Sequence, residues 1–246
     1  IDLPAAIGDP VLGLGLLSFG LLLLALPLAF WAVGGDRTST TTRTLVVMAN
    51  MVLTAQLVLR WWQAGHFPFG MWQAGHFPVS NLYESLCFLA WACSFTQLLV
   101  ERSWPSPIVA SVATPMSLLC IAFASFALPD QLQEASPLVP ALRSSWLVMH
   151  VTVIMCSYAA LLVGSLLSTA VLFSGRDQAL EIRSSSIGSG GFRKSLLSDE
   201  VNQQKQNLNL RPISLTSTEQ LDSLSYRTIT VGFLLLTVGL ISGAVW

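Results

Sequence analysis

Residues 145–173 read SWLVMHVTVIMCSYAALLVGSLLSTAVLF, a run that no Asp, Glu, Lys or Arg interrupts. A helix needs about 20 mainly apolar residues to cross the hydrocarbon core of a bilayer. This run is longer than that, so it is expected to tilt or to protrude. One imidazole, His150, lies near its start. A helix of this kind fits a lipid environment, and the rest of the chain repeats the pattern.

Five further runs qualify as membrane spans: 11–33, 44–62, 81–100, 107–128 and 228–246. Pro27 and Pro115 fall inside two of them, which helix bundles tolerate where neighbours satisfy the freed carbonyls. The expected fold is therefore all-α, a polytopic integral membrane helix bundle of about six transmembrane helices. Residues 1–174 would form a five-span membrane bundle with an outer loop. Residues 175–224 would form a polar, disordered loop on the cytoplasmic side, since a Ser/Gly-rich stretch nearly without aromatics cannot bury enough apolar area to offset chain entropy. Residues 225–246 would form the sixth span.

Composition agrees. Hydrophobic residues make up 53% of the chain and charged residues 10%, against roughly 25% charged in a soluble domain. A formal net charge of −1 gives no basic field for nucleic acid, and no zinc-finger or RNA-binding motif occurs. The four cysteines, Cys87, Cys93, Cys120 and Cys156, form no C-x-x-C pair and read as small apolar side chains between helices.

Orientation follows from the Lys/Arg bias of the connecting loops. With the N-terminus outside, the inner side carries Arg37, Arg43, Arg102, Arg176, Arg183, Arg193, Lys194, Lys205, Arg211 and Arg227, and the outer side only Arg60 and Arg143. The start of the 145–173 run then faces outward. So does WWQAGHFPFGMWQAGHFPVSNLYES (61–85), in which the heptapeptide WQAGHFP occurs at 62–68 and again at 72–78. Trp61, Trp62, Trp72 and Phe77 in this stretch suit an interfacial aromatic belt.

Few side chains could carry chemistry. The histidines are His66, His76 and His150. His150 lies about one and a half turns inside its helix, and Trp146, His150, Ile154 and Ser157 share one helical face. A neutral imidazole there could ligate a metal or a haem iron, or it could be a polar residue hydrogen-bonded within the bundle. Asn81 and Glu84 read as a capping box, with Glu84 at the third helical position and facing the positive end of the helix dipole. No G-x-S-x-G, H-E-x-x-H, Walker or Rossmann motif appears.

Four stretches add a resemblance: GHFPVSNLYESLCFLAW (75–91), LRSSWLVMHV (142–151), SYAALLVGSLLSTAVLF (157–173) and LDSLSYRTITVGFLLLTVGLISGAVW (221–246). In these, in order, the chain resembles the CcsA (ResC-type) cytochrome c biogenesis proteins, a family of haem handling proteins. The resemblance implies haem delivery and presentation at the outer membrane face for thioether attachment to apocytochrome c, within a haem lyase complex. It implies haem b as the bound substrate and a CcsB/Ccs1-type membrane partner. The client would be an apocytochrome c bearing a C-x-x-C-H motif. The setting would be a cyanobacterial or chloroplast thylakoid membrane, or else a bacterial plasma membrane. His150 matches the first external histidine of the family and is the expected axial ligand of the haem iron, with Trp146 and His76 as further candidates for haem contact. The alternative is a non-catalytic membrane subunit that stabilises or recruits the partner.

Two features depart from the family pattern. SGAVW at 242–246 falls where the family continues into a tryptophan-rich segment and a second external histidine, so this piece is not expected to attach haem alone. The family also carries the GHFP element once. The copy at 72–78 leads into VSNLYES in family register, and the copy at 62–68 reads as a tandem duplication that lengthens an outer loop, where insertion costs little. A ligand pair of His66 and His76 is the sharper alternative.

Overall fold

In a computed structural model, the structure describes residues 10–34, 40–63, 81–129, 145–187 and 213–245. All regular structure among them is helical: α1 (Pro10–Gly34), α2 (Thr40–Gln63), α3 (Leu82–Ser103), α4 (Pro107–Ala122), α5 (Ser145–Ile187) and α6 (Ile213–Val245). Six of these segments are long and apolar enough to cross a membrane: Pro10–Val33, Thr40–Trp61, Leu82–Ser103, Pro107–Ala127, Trp146–Phe173 and Glu219–Val245. They fall on the six expected runs.

The ends of the helices follow local chemistry. Ser106 caps α4, its Oγ accepting from the Ile108 amide at 3.4 Å, and Pro107 follows at the first helical position, where its missing N–H costs nothing. At the other end of α4 the backbone loosens into a π-helical turn, Phe123–Ala127. Pro27 and Pro115 are accommodated inside α1 and α4.

Helices α1 to α4 pack as one group, α1 on α2 and α4, and α3 on α2 and α4. Leu22, Leu53, Ala90, Cys120 and Ile121 fill its centre. Helix α5 lies against α3 and α4, and α6 packs chiefly on α5. The four cysteines behave as expected: Cys87, Cys93 and Cys120 are buried, Cys156 is half-buried, and none is in a disulfide.

The polar segment 175–224 departs from its expected bounds. Helix α5 continues to Ile187 and α6 begins at Ile213, so both ends of the segment are helical. The reason is local: RDQALEIR (176–183) is rich in good helix formers and simply extends a helix the membrane has already nucleated. Residues 188–212 lie outside the described residues, as do both His66 and His76 and most of the WQAGHFP repeat.

Candidate functional site

The face of α5 singled out by sequence is the one that meets α6. Trp146 donates from Nε1 to the Ser242 carbonyl at 2.8 Å. About three and six turns further on, Ser157 Oγ donates to the Gly232 carbonyl at 2.7 Å, and Ser168 Oγ lies 3.1 Å from Ser225 Oγ. The two helices run antiparallel and close together because glycine lines the seam. A Cβ at Gly232 would stand 2.9 Å from Leu161 Cγ, and one at Gly239 2.6 Å from Ile154 Cγ1. Small residues of this kind let membrane helices approach backbone to backbone, where dispersion and interhelical hydrogen bonds hold them.

His150 is placed within this seam, one turn inward from Trp146. Its Nδ1 lies 2.8 Å from the Gly239 carbonyl oxygen and 3.3 Å from Ser242 Oγ. A carbonyl can only accept, so Nδ1 carries the proton in this contact. The lone pair of the neutral ring is then on Nε2, which makes no hydrogen bond among the described residues. Ser242 Oγ itself donates to the Gly239 carbonyl at 2.7 Å. His150 is half-buried, and Trp146, 39% exposed, and Met149 stand beside it towards the helix end. The expected alternative of a bundle hydrogen bond is thus true of Nδ1.

Further along α5, a cavity of about 330 Å³ opens between α3, α5 and α6. Its walls include Trp91, Phe95, Cys156, Ala160, Val231 and Leu235, with the Trp91 and Phe95 rings stacked at 5.3 Å.

At the ends of α2 and α3 the structure keeps Glu84 in the first turn and corrects the Asn81 half of the capping-box reading. Asn81 has an extended N-cap backbone but makes no side-chain cap bond. Glu84 instead accepts from Arg60 Nε at 3.2 Å, with both side chains buried (2% and 7% exposed). The Arg60 guanidinium also lies 5.2 Å from the Tyr83 ring centre, and Tyr83 Oη accepts from Gln56 Nε2 at 2.8 Å. A local motif had a long-range competitor: Arg60 is 24 residues away but one helix over. The signal that could have found it is a pair of opposite charges, each one turn inside an apolar run, on either side of one loop.

A second buried polar group was also missed. Asn50 Nδ2 donates to Ser94 Oγ at 2.8 Å and to the Trp91 carbonyl at 3.1 Å. Gln97 Nε2 donates to Glu101 Oε1 at 2.9 Å and to Thr114 Oγ1 at 3.1 Å. Tyr83, Cys87, Ala90, Ser94, Gln97 and Glu101, all buried, recur every three or four residues along α3, so one face of this helix carries the polar seam of the α1–α4 group.

An all-helical bundle with six helices long and apolar enough to cross a membrane defines a class, the polytopic membrane proteins. The comparisons narrow the class. The family model described as "Cytochrome C assembly protein" matches residues 79–246. The chain is 69% identical over 245 residues to the cytochrome c biogenesis protein CcsA of Prochlorococcus marinus (strain MIT 9303), covering 100% of this chain and 74% of that protein. It is 70% identical over 239 residues to CcsA of Synechococcus sp. (strain CC9311), covering 97% of this chain and 75% of that protein. No solved structure matches it. The chain belongs to the cytochrome c assembly family.

Proposed function

We propose that the chain serves cytochrome c maturation by holding haem at the outer edge of the membrane, with Nε2 of His150 as an axial ligand of the iron. Membership in the family supports a membrane role in cytochrome c maturation, and the cyanobacterial relatives fit a thylakoid or plasma membrane. One observation carries the finer reading. The Gly239 carbonyl takes the Nδ1 proton at 2.8 Å, which is how protein-held imidazoles are usually fixed when the other nitrogen binds a metal.

The donor set fits such a cargo. A neutral imidazole nitrogen without a hydrogen bond is a good ligand for haem iron. The half-exposed Trp146 indole, pinned through its N–H to the Ser242 carbonyl, offers an aromatic face one turn outward. Haem b, when bound as substrate, supplies the vinyl groups that become thioethers with the two thiols of a C-x-x-C-H client. The residues of this chain hold the iron-binding nitrogen in one orientation and keep it at the membrane edge, so that vinyl and thiol meet in a fixed geometry. The partner in the complex would be a CcsB/Ccs1-type membrane subunit. His76 stays a further candidate ligand in the outer loop.

The test is spectroscopic. Protein purified in detergent should carry a Soret band that His150→Ala weakens and that added imidazole restores. Haem bound with an unchanged spectrum in His150→Ala would sink the reading. The second reading, a subunit that recruits its partner without holding haem, is favoured by the apolar outer surface of α6, where Phe233, Leu234, Leu240 and Ile241 are all exposed. A haem-free preparation that still captures the partner subunit would select it.

A further inference from the structure

The ring of His150 does not merely touch α6; its Cε1 edge sits in the gap that Gly243 leaves. A Cβ built on Gly243 would overlap His150 Cε1 and would stand 2.9 Å from Nδ1 and 3.0 Å from Nε2. Every other amino acid at 243 would therefore push the imidazole off its present position. The displaced ring would part from the Gly239 carbonyl, which holds Nδ1 at 2.8 Å, and from Ser242 Oγ at 3.3 Å. Ser242 has two contacts here: its carbonyl accepts from Trp146 Nε1, and its hydroxyl shares the Gly239 carbonyl with the imidazole.

We propose that Gly243 and Ser242 are positioning residues for His150: the absent side chain at 243 sets where the ring lies, and the hydroxyl at 242 sets how strongly its Nδ1 proton is held. The proposal rests on the reading that Nε2 takes the iron, and it adds the positions on a helix nearly a hundred residues away that make that nitrogen available. The imidazole meets three residues of one turn of α6, Gly239, Ser242 and Gly243. A ligand so fixed arrives pre-oriented. The same turn ties the orientation of the ring to the docking of α6, so the ligand and the helix seam form one unit.

The experiment compares two glycines of the same seam. Gly232 opposes Leu161, where a Cβ would stand 2.9 Å from Leu161 Cγ, so Gly232→Ala strains the same helix pair well away from His150. Gly243→Ala should weaken haem retention by about 10- to 100-fold, the usual penalty for disturbing a group that orients a metal ligand, and should displace the Soret maximum. Gly232→Ala should keep the parent spectrum. Equal loss in both variants would reduce Gly243 to a packing residue and overturn the proposal, as would a parent spectrum in Gly243→Ala. An unchanged spectrum in His150→Ala would instead defeat the ligand reading, so the two failures are distinguishable.

Should Gly243→Ala not accumulate, the hydroxyls decide. Ser157 and Ser242 each donate to an α6 carbonyl at 2.7 Å. Without the Ser242 hydroxyl the Gly239 carbonyl has only its helical amide and the imidazole as donors, the ring gains electron density, and the bound haem should become harder to reduce. Ser242→Ala should thus lower its reduction potential while Ser157→Ala leaves it in place. No difference between the two would overturn the proposal.

Discussion

The α1–α4 group and the α5/α6 pair solve the same problem, polar side chains in lipid, in different ways. In α3 and α4, 56% of each spanning window is buried, against 17% in α6. The group therefore has an interior, and it uses that interior for side chain to side chain bonds: Arg60 with Glu84, Asn50 with Ser94, Gln97 with Glu101 and Thr114. The pair meets along a seam, and its polar side chains bond largely to backbone carbonyls across it. Buried side-chain pairs consume both partners. A carbonyl uses up one nitrogen of an imidazole and leaves the second available. The side-chain pairs of the group suit a scaffold, and under the proposed function the seam carries the ligand.

Three substitutions and one deletion sharpen or break this contrast. The largest effect is expected from Glu84→Ala, which strands the buried Arg60 charge. Removing one partner of a buried pair costs about 3–5 kcal/mol, so detergent-solubilised protein should unfold far earlier on heating or in dodecyl sulfate. A change below about 1 kcal/mol would mean that the pair behaves like a surface one and that the scaffold reading is wrong. Next comes Gly232→Leu, which forces a branched side chain into the seam. Overpacking of this kind costs about 1–3 kcal/mol, and it should loosen α6 while sparing α1–α4. Thiol labelling would then rise at the half-buried Cys156 and stay low at Cys87 and Cys93. Labelling that rises at all three would show that the two regions unfold together.

Ser157→Ala removes one seam hydrogen bond. Within membranes such bonds average about 0.6 kcal/mol, so a small drop in melting temperature is expected, and a collapse comparable to that of Glu84→Ala would erase the distinction. The smallest effect is reserved for deleting residues 62–71, which restores the continuous sequence RWWQAGHFPVSNLYES. Haem content should not change, and a clear loss would favour a ligand role for His66 over a duplicated loop.

The sequence made the helices easy to find because the bilayer imposes its own ruler: each run of about 20 apolar residues had a single reading. His150 was legible for a related reason, being the one imidazole inside an apolar run. Its partners were not. Gly239, Ser242 and Gly243 are 89 or more residues further on, across a polar segment, and nothing in their own neighbourhood marks them out from other small residues of a membrane helix. Glu84 shows the opposite failure. Asn81 and Glu84 have the spacing of a cap, a local pattern that is complete in four residues, and it concealed the cation that the carboxylate pairs with. Local patterns were reliable where the solvent set the constraint and unreliable where another helix did.

The length of α5 has a consequence of its own. Between Phe173, the last residue of its spanning part, and Ile187 the helix climbs about 20 Å at 1.5 Å per residue. It therefore extends past the spanning segment as a mast that ends, among the described residues, at Ile187. A fluorophore or affinity handle inserted after Ile187 should be reachable by bulky reagents without touching the bilayer, which makes the mast a practical grip for purifying and imaging the protein in nanodiscs.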